Sequence, residues 1–323
     1  MTSVTSLFAP VETDLDLLAQ NLKGLVGARH PVLSAAAEHL FGAGGKRIRP
    51  AIVLLLARAT LPGQEISAKH RRLAEITEMI HTASLVHDDV VDEASMRRGV
   101  PTVHSSFGNR IAVLAGDFLF AQASWYLANL DNLRVVKLLS QVIMDLAEGE
   151  IQQGLNRFDT SLSIEAYLEK SYFKTASLIA NSAKAVGVLS GMAETTINQL
   201  YAYGRHLGLA FQVVDDILDF TSSDQVLGKP ACADLRSGNL TAPVLYAMAE
   251  HPGLAALIER EFSQGQDFEQ AIDLIHGSNG IAKARELAAQ QAEAAITCLQ
   301  VLPPSVSHQA LLDMADYVLR RLS

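Results

Sequence analysis

Two runs of aspartate stand out from the rest of the chain: Asp88-Asp89-Val90-Val91-Asp92 and Asp215-Asp216-Ile217-Leu218-Asp219. On a helix, residues i and i+4 share a face about one turn apart, so Asp88 aligns with Asp92 and Asp215 with Asp219. Like charges at that spacing destabilise a helix by about 0.2–0.5 kcal/mol. Acidic residues near a helix C-terminus also oppose the macrodipole. A divalent cation removes both penalties. Magnesium takes oxygen ligands, commonly one or two carboxylates with phosphate oxygens completing the octahedron. Two facing clusters could therefore clamp one diphosphate through several magnesium ions. A solvated acidic helix end is the plainer reading of one such run; two runs flanked by apolar residues favour the metal.

A second anion site is suggested by Phe41-Gly42-Ala43-Gly44-Gly45-Lys46-Arg47-Ile48-Arg49-Pro50. Glycines let backbone N–H groups approach an anion, Pro50 suits the first turn of a following helix, and arginine grips phosphate through paired hydrogen bonds. Arg97 and Arg98 follow closely on Asp92, where they can stand beside the first cluster. His81 lies two turns before Asp88 on nearly the same face. Lys174, Thr175 and Gln212 interrupt apolar helices, and Gln212 precedes Asp215 on that motif's own side. Gly228-Lys229-Pro230 and Asp234 lie in a loop of small residues that can close over substrate and exclude water.

The segments that must position these groups read as helices. From Ser67 to about Asp92 the apolar residues Leu73, Ile76, Ile80, Ala83, Val86 and Val90 recur at three-to-four spacing. Ser67 is a fitting N-cap, with Ile66 before it as a staple. Residues 109–130, 132–156, 164–189, 195–220 and 280–299 repeat the pattern. Alternating, turn-bounded β-branched runs are missing. Proline and glycine cluster at a few joints, none of which divides the chain, so the expectation is all-α: one helical-bundle domain over residues 1–323.

Composition bounds the partners. Of the 323 residues 49% are hydrophobic, enough for a large core, and the net charge is −9 with no basic run, which argues against nucleic acid. An acidic protein that binds two diphosphates needs metal cations and a few local Lys and Arg. Cys232 and Cys298 form no metal-ligand or disulfide pattern, which suits a reducing cytosol. Met1 to Asp16 lacks the pattern of a secretory or transit peptide. The longest apolar run, Ala51 to Ala57, falls far short of the roughly 18 residues that span a bilayer. The expectation is a cytoplasmic protein with no transmembrane segment, touching membrane at most peripherally to release an apolar product.

The motifs together resemble the trans-isoprenyl diphosphate synthase (polyprenyl synthetase) family. They are Gly44-Gly45-Lys46-Arg47-Ile48-Arg49-Pro50, the stretch Leu85 to Gly99, Gly149-Glu150 with Gln153, Lys174-Thr175, Phe211-Gln212 with the second acidic run, and Gly228-Lys229-Pro230. They stand in family order from about residue 40 to 245. The resemblance implies about ten core helices around a deep cavity and a homodimer. It assigns magnesium and an allylic diphosphate to Asp88, Asp89, Asp92, Asp215, Asp216 and Asp219, with Arg97, Lys174, Thr175, Gln212 and Lys229. Isopentenyl diphosphate falls to Lys46, Arg49, His81 and Arg98. One departure concerns the loop after the second motif, where many members carry a further lysine after a glycine and this chain has Gly238-Asn239.

The implied reaction is repeated head-to-tail condensation. Magnesium and cationic side chains stabilise charge developing on departing pyrophosphate. The double bond of isopentenyl diphosphate attacks the allylic cation, a proton leaves to pyrophosphate, and water must be kept out. Ala83 and Ser84, one turn or slightly more before Asp88, are small where short-chain relatives often carry an aromatic floor. The passage below them is expected to stay open, each turn adding about 5.4 Å of depth. The detailed sequence looks most like cyanobacterial or plastid-type synthases of the solanesyl class, which serve quinone side chains. A geranylgeranyl-type synthase, a class I terpene cyclase and a non-catalytic partner subunit are the rival readings. The cyclase would not need Lys46, Arg49 and Arg98, and the partner subunit would be expected to have lost acidic motifs.

Overall fold

The computed structural model describes residues 7–25, 31, 35–36, 39, 45–97, 99–222 and 231–322. Among them the helices run α1 (Glu12–Leu25), α2 (Ile48–Thr60), α3 (Ala68–Val91), α4 (Val103–Phe107), α5 (Asn109–Ala128), α6 (Leu133–Leu155) and α7 (Ile164–Ser171). A π-helical turn, Tyr172–Ala176, follows. Then come α8 (Ser177–Leu189), α9 (Glu194–Thr221), α10 (Ala233–Arg236), α11 (Ala242–Glu250), α12 (Pro252–Glu259), α13 (Asp267–Gly277), α14 (Gly280–Cys298) and α15 (Val306–Arg320). The described strands are a two-residue antiparallel pair, β1 (Met96–Arg97) and β2 (Val100–Pro101), with Met96 opposite Pro101. The all-α expectation holds.

Contacts divide the chain into two compact units. One comprises Met1–Ile143, Leu178–Tyr201 and Leu299–Met314; the other comprises Met144–Ser177, Ala202–Cys298 and Ala315–Ser323.

In the first unit α2 is buried almost throughout, as expected of a helix apolar on every side. α3 lies against both α2 and α5, with Leu73, Ile76, Met79, Ile80 and Ala83 wholly buried. Its N-cap is Ser67, whose Oγ accepts the His70 N–H at 3.3 Å, and Ile66 is buried beside it. Buried hydroxyls join helices here: Thr77 to Ser182 at 3.0 Å, and Thr60 to Ser190 at 2.8 Å. Asp14 on α1, itself buried, accepts from Arg58 and Arg71 at 2.9 and 2.8 Å. α5 is long and apolar enough to cross a bilayer by length and composition, although Arg110 and Asp117 break up its apolar run. Its Ala112, Ala115, Gly116 and Leu119 are buried in the unit, so one side of α5 serves a protein core.

In the second unit, two glycines bring backbones close to the π turn. A Cβ on Gly208 of α9 would lie 2.6 Å from Ala176 Cα, and one on Gly149 of α6 would lie 3.0 Å from Phe173 Cβ. The helix expected over residues 164–189 runs through without a gap, with a π turn at Tyr172–Ala176. π turns inside helices are frequent at functional sites. Between α14 and α11, Gly280 admits the Pro243 carbonyl, which would stand 2.4 Å from an added Cβ.

Candidate active site

The first acidic motif ends α3. Asp92 is the C-cap, and its N–H donates to the Asp88 carbonyl at 2.8 Å, so the helical register carries through to it. Asp88 is half-buried and Asp92 exposed, whereas Asp89 is buried. Arg97, on β1, donates from Nε to Asp89 Oδ1 at 2.7 Å. Burial pushes the Asp89 carboxyl up and the Arg97 charge opposes that rise. The middle aspartate is therefore an anchor for the turn after α3, while Asp88 and Asp92 are the more accessible pair.

His87 fixes this helix end to α5. Its Nε2 donates to the Val113 carbonyl at 3.0 Å, and its ring lies so close to Gly116 that a Cβ there would stand 2.2 Å from Nε2. Sequence reasoning missed that role, since the glycine that admits the ring is far along the chain.

The basic segment enters the same unit at the start of α2. Gly45 has φ 149°, which only glycine adopts freely. Arg47 caps α2 at φ 49°, the left-handed region, a cost of about 1 kcal/mol or more for a side chain with a Cβ. Its guanidinium forms a short ion pair with Glu78, which is buried on α3. Arg49 Nη1 lies 3.0 Å from His81 Nε2. Arg47, Glu78, His81, Asp89 and Arg97 line one cavity of about 40 Å³. The structure thus joins two residues read as isopentenyl diphosphate ligands, Arg49 and His81. Lys46 is exposed, and Arg98 lies outside the described residues, as do Gly44 and the rest of the loop from Phe41. Glu78 had a signal in the sequence, being a charge inside an apolar helix stretch. Ala83 is wholly buried; Ser84 is half-buried, and its Oγ donates to the His81 carbonyl at 2.9 Å.

In the second unit α9 carries the other motif. Asp216 is buried and accepts from Tyr167 Oη at 2.6 Å and Gln212 Nε2 at 2.8 Å. Burial, with the charge of Asp234 next, pushes its carboxyl up to about 7. Thr175 donates to Gln212 Oε1 at 2.6 Å, so the Lys174-Thr175 and Gln212 interruptions join one network. Lys174 Nζ reaches Glu150 at 3.1 Å and Gln153 at 3.0 Å, which explains that pair of polar residues on α6. Asp219 is buried and accepts the Asp234 backbone N–H at 3.2 Å. Asp215 is half-buried and pairs with Arg321 at 2.6 Å. The Arg321 guanidinium lies 4.6 Å from the centroid of the Phe211 ring. Arg321 and Tyr167 were missed by sequence reasoning; both belong to stretches without a motif. Gly228, Lys229 and Pro230 lie outside the described residues.

Among the described residues no three His, Cys, Asp or Glu side chains gather into a ready-made metal cage. The donor set nevertheless fits magnesium, which keeps several waters and binds through one or two carboxylates plus substrate phosphates. Asp88 with Asp92, and Asp215 with Asp219, offer hard oxygen atoms of that kind.

Known proteins share this chain's sequence and fold. A Synechocystis prenyl transferase is 69% identical over the full length of both chains. Solanesyl-diphosphate synthase 2, chloroplastic, of Oryza sativa is 54% identical, covering 99% of this chain and 80% of that one. The solved polyprenyl synthase from Caulobacter crescentus, complexed with calcium and isoprenyl diphosphate, superposes with a TM-score of 0.91 at 35% identity, covering 99% of this chain and 98% of that one. Fold and motifs together define an all-α synthase of the isoprenoid class. The family model for polyprenyl synthetase matches residues 30–275. The chain belongs to the polyprenyl synthetase family.

Proposed function

We propose that this chain condenses isopentenyl diphosphate repeatedly with an allylic diphosphate, making a long all-trans polyprenyl diphosphate of the solanesyl class for quinone side chains. The observation that carries the reading is the repeated acidic motif whose middle aspartate is buried and held by its own partners, Arg97 in one copy and Tyr167 with Gln212 in the other. With Asp89 and Asp216 so held, the six aspartates Asp88, Asp89, Asp92, Asp215, Asp216 and Asp219 would together serve magnesium on the allylic diphosphate. Magnesium there supplies neutralisation of charge on departing pyrophosphate. Arg97, Lys174, Thr175, Gln212 and Lys229 orient that substrate; Lys46, Arg49, His81 and Arg98 hold isopentenyl diphosphate. Arg49 keeps His81 in place by donating from Nη1 to its Nε2, and the rest of the guanidinium fork is of the kind that grips a diphosphate. One synthetase domain over residues 1–323 fits a family match that runs through both compact units.

A homodimer is part of the reading. Leu114 (46% exposed) and Trp125 (63%) stand three turns apart on one face of α5, an apolar surface on an otherwise acidic protein.

The test is turnover of the purified protein with EDTA, and separately of Asp88→Ala and Asp215→Ala. Each is expected to lose at least about two orders of magnitude, as removal of a principal electrostatic group does. Near wild-type turnover in any of the three contradicts the metal site.

A further inference from the structure

Lys170, near the end of α7, is a buried cation close to the second acidic motif. It is 5% exposed. Its Nζ donates to Asn239 Oδ1 at 2.5 Å and lies 5.9 Å from the Tyr167 ring centroid. Asn239 is held in turn: its Nδ2 donates to Asp234 Oδ1 at 3.3 Å, and its backbone N–H to the Asp234 carbonyl at 2.8 Å. The ammonium thus stands one link from Asp216 through Tyr167, and two links from Asp219 through Asn239 and Asp234.

Charges this deeply buried are ordinarily paired with an opposite charge. An ammonium has three donors; among the described residues this one donates to a single neutral amide. A lysine serving only to neutralise the motif would rest on a carboxylate, as Lys174 rests on Glu150 and Arg321 on Asp215. Lys170 instead donates to an amide, with the acids near it but not hydrogen-bonded to it. Burial disfavours its charge most; Asp216 attracts it, and Lys174, four residues on and inside the π turn, repels it. An anion bound beside both would relieve that repulsion and use the remaining donors.

We infer that Lys170 is a diphosphate-binding residue of the second acidic motif, its ammonium aimed by Asn239, which stands where a further loop lysine, beyond Lys229, would be expected. This rests on the reading of the site as a diphosphate site. Asn239 is then the holder of a cation delivered from α7, and the missing loop lysine is replaced rather than lost.

The experiment compares the wild type with Lys170→Gln and with the exchange variant Lys170→Asn/Asn239→Lys, which moves the ammonium to the other partner. Binding of inorganic pyrophosphate with magnesium is measured by calorimetry, and both Michaelis constants by product formation. Lys170→Gln is expected to weaken pyrophosphate and raise the allylic Michaelis constant about tenfold, the effect of one charge-assisted hydrogen bond. The isopentenyl diphosphate constant should stay unchanged. The exchange variant is expected to recover both losses to within about threefold of wild type. Wild-type constants in Lys170→Gln overturn the inference, as does a folded exchange variant that binds as weakly as Lys170→Gln. Should Lys170→Gln fail to fold, the exchange variant decides alone. A wild type that binds pyrophosphate without condensing the two substrates counts against the prenyl-transfer reading, and the pyrophosphate arm still decides on Lys170.

Discussion

Arg49 and His81 stand 3.0 Å apart although 32 residues separate them. His81 was visible as a polar group two turns before the first acidic motif, and Arg49 as part of the basic, glycine-rich segment. Arg47 was visible only as part of a basic cluster. Its left-handed backbone and its ion pair with buried Glu78 follow from tertiary packing, which no local pattern reports. The same holds for Tyr167 and Arg321, whose partners, Asp216 and Asp215, lie far along the chain. The assignment of Arg49 to isopentenyl diphosphate predicts a split in the kinetics of Arg49→Ala. Its Michaelis constant for isopentenyl diphosphate should rise about ten- to a hundredfold, the worth of a charged hydrogen bond. The allylic constant should move little. A loss confined to the allylic side would refute the assignment.

Elements were more legible than their interruptions. The cap at Ser67, the apolar period of α3 and the end at Asp92 emerge from residue type and spacing, and the structure reproduces them. The π turn at Tyr172–Ala176 has no such signature; it is built where Gly149 and Gly208 let neighbouring helices approach. The apolar character of α5 was likewise hidden by two charges. α3 bears on product length, because Ala83 and Ser84 precede the motif on its wall. Ser84 is the better site to alter, being half-buried where Ala83 has no exposed surface. Ser84→Phe should cost about 1–3 kcal/mol of stability through overpacking and shorten the product by one or more condensations, with the first condensations preserved. Chromatography of dephosphorylated products checks it. An unchanged product from a folded, active variant would place the growing chain elsewhere, and a folded but inactive one would mean that Ser84 supports the reacting centre.

For the whole molecule, a net charge of −9 and a diphosphate chemistry are reconciled by placing the cations locally, at the start of α2, on β1 and around α9. Leu114 and Trp125 leave an exposed apolar face on α5. Trp125→Glu on α5 should weaken self-association by about tenfold or more, the usual effect of losing a central aromatic anchor. Light scattering across a dilution series measures it, and a wild type that is monomeric at micromolar concentration would remove α5 as a dimer face. The central claim, repeated condensation to a long product, has a direct measurement. Purified protein is given magnesium, an allylic diphosphate and labelled isopentenyl diphosphate, and the dephosphorylated products are separated by reversed-phase chromatography. The account predicts a ladder of intermediates that ends in a long all-trans chain of the solanesyl class. A product that stops at geranylgeranyl length, or a cyclised hydrocarbon formed without incorporating the label, would contradict it.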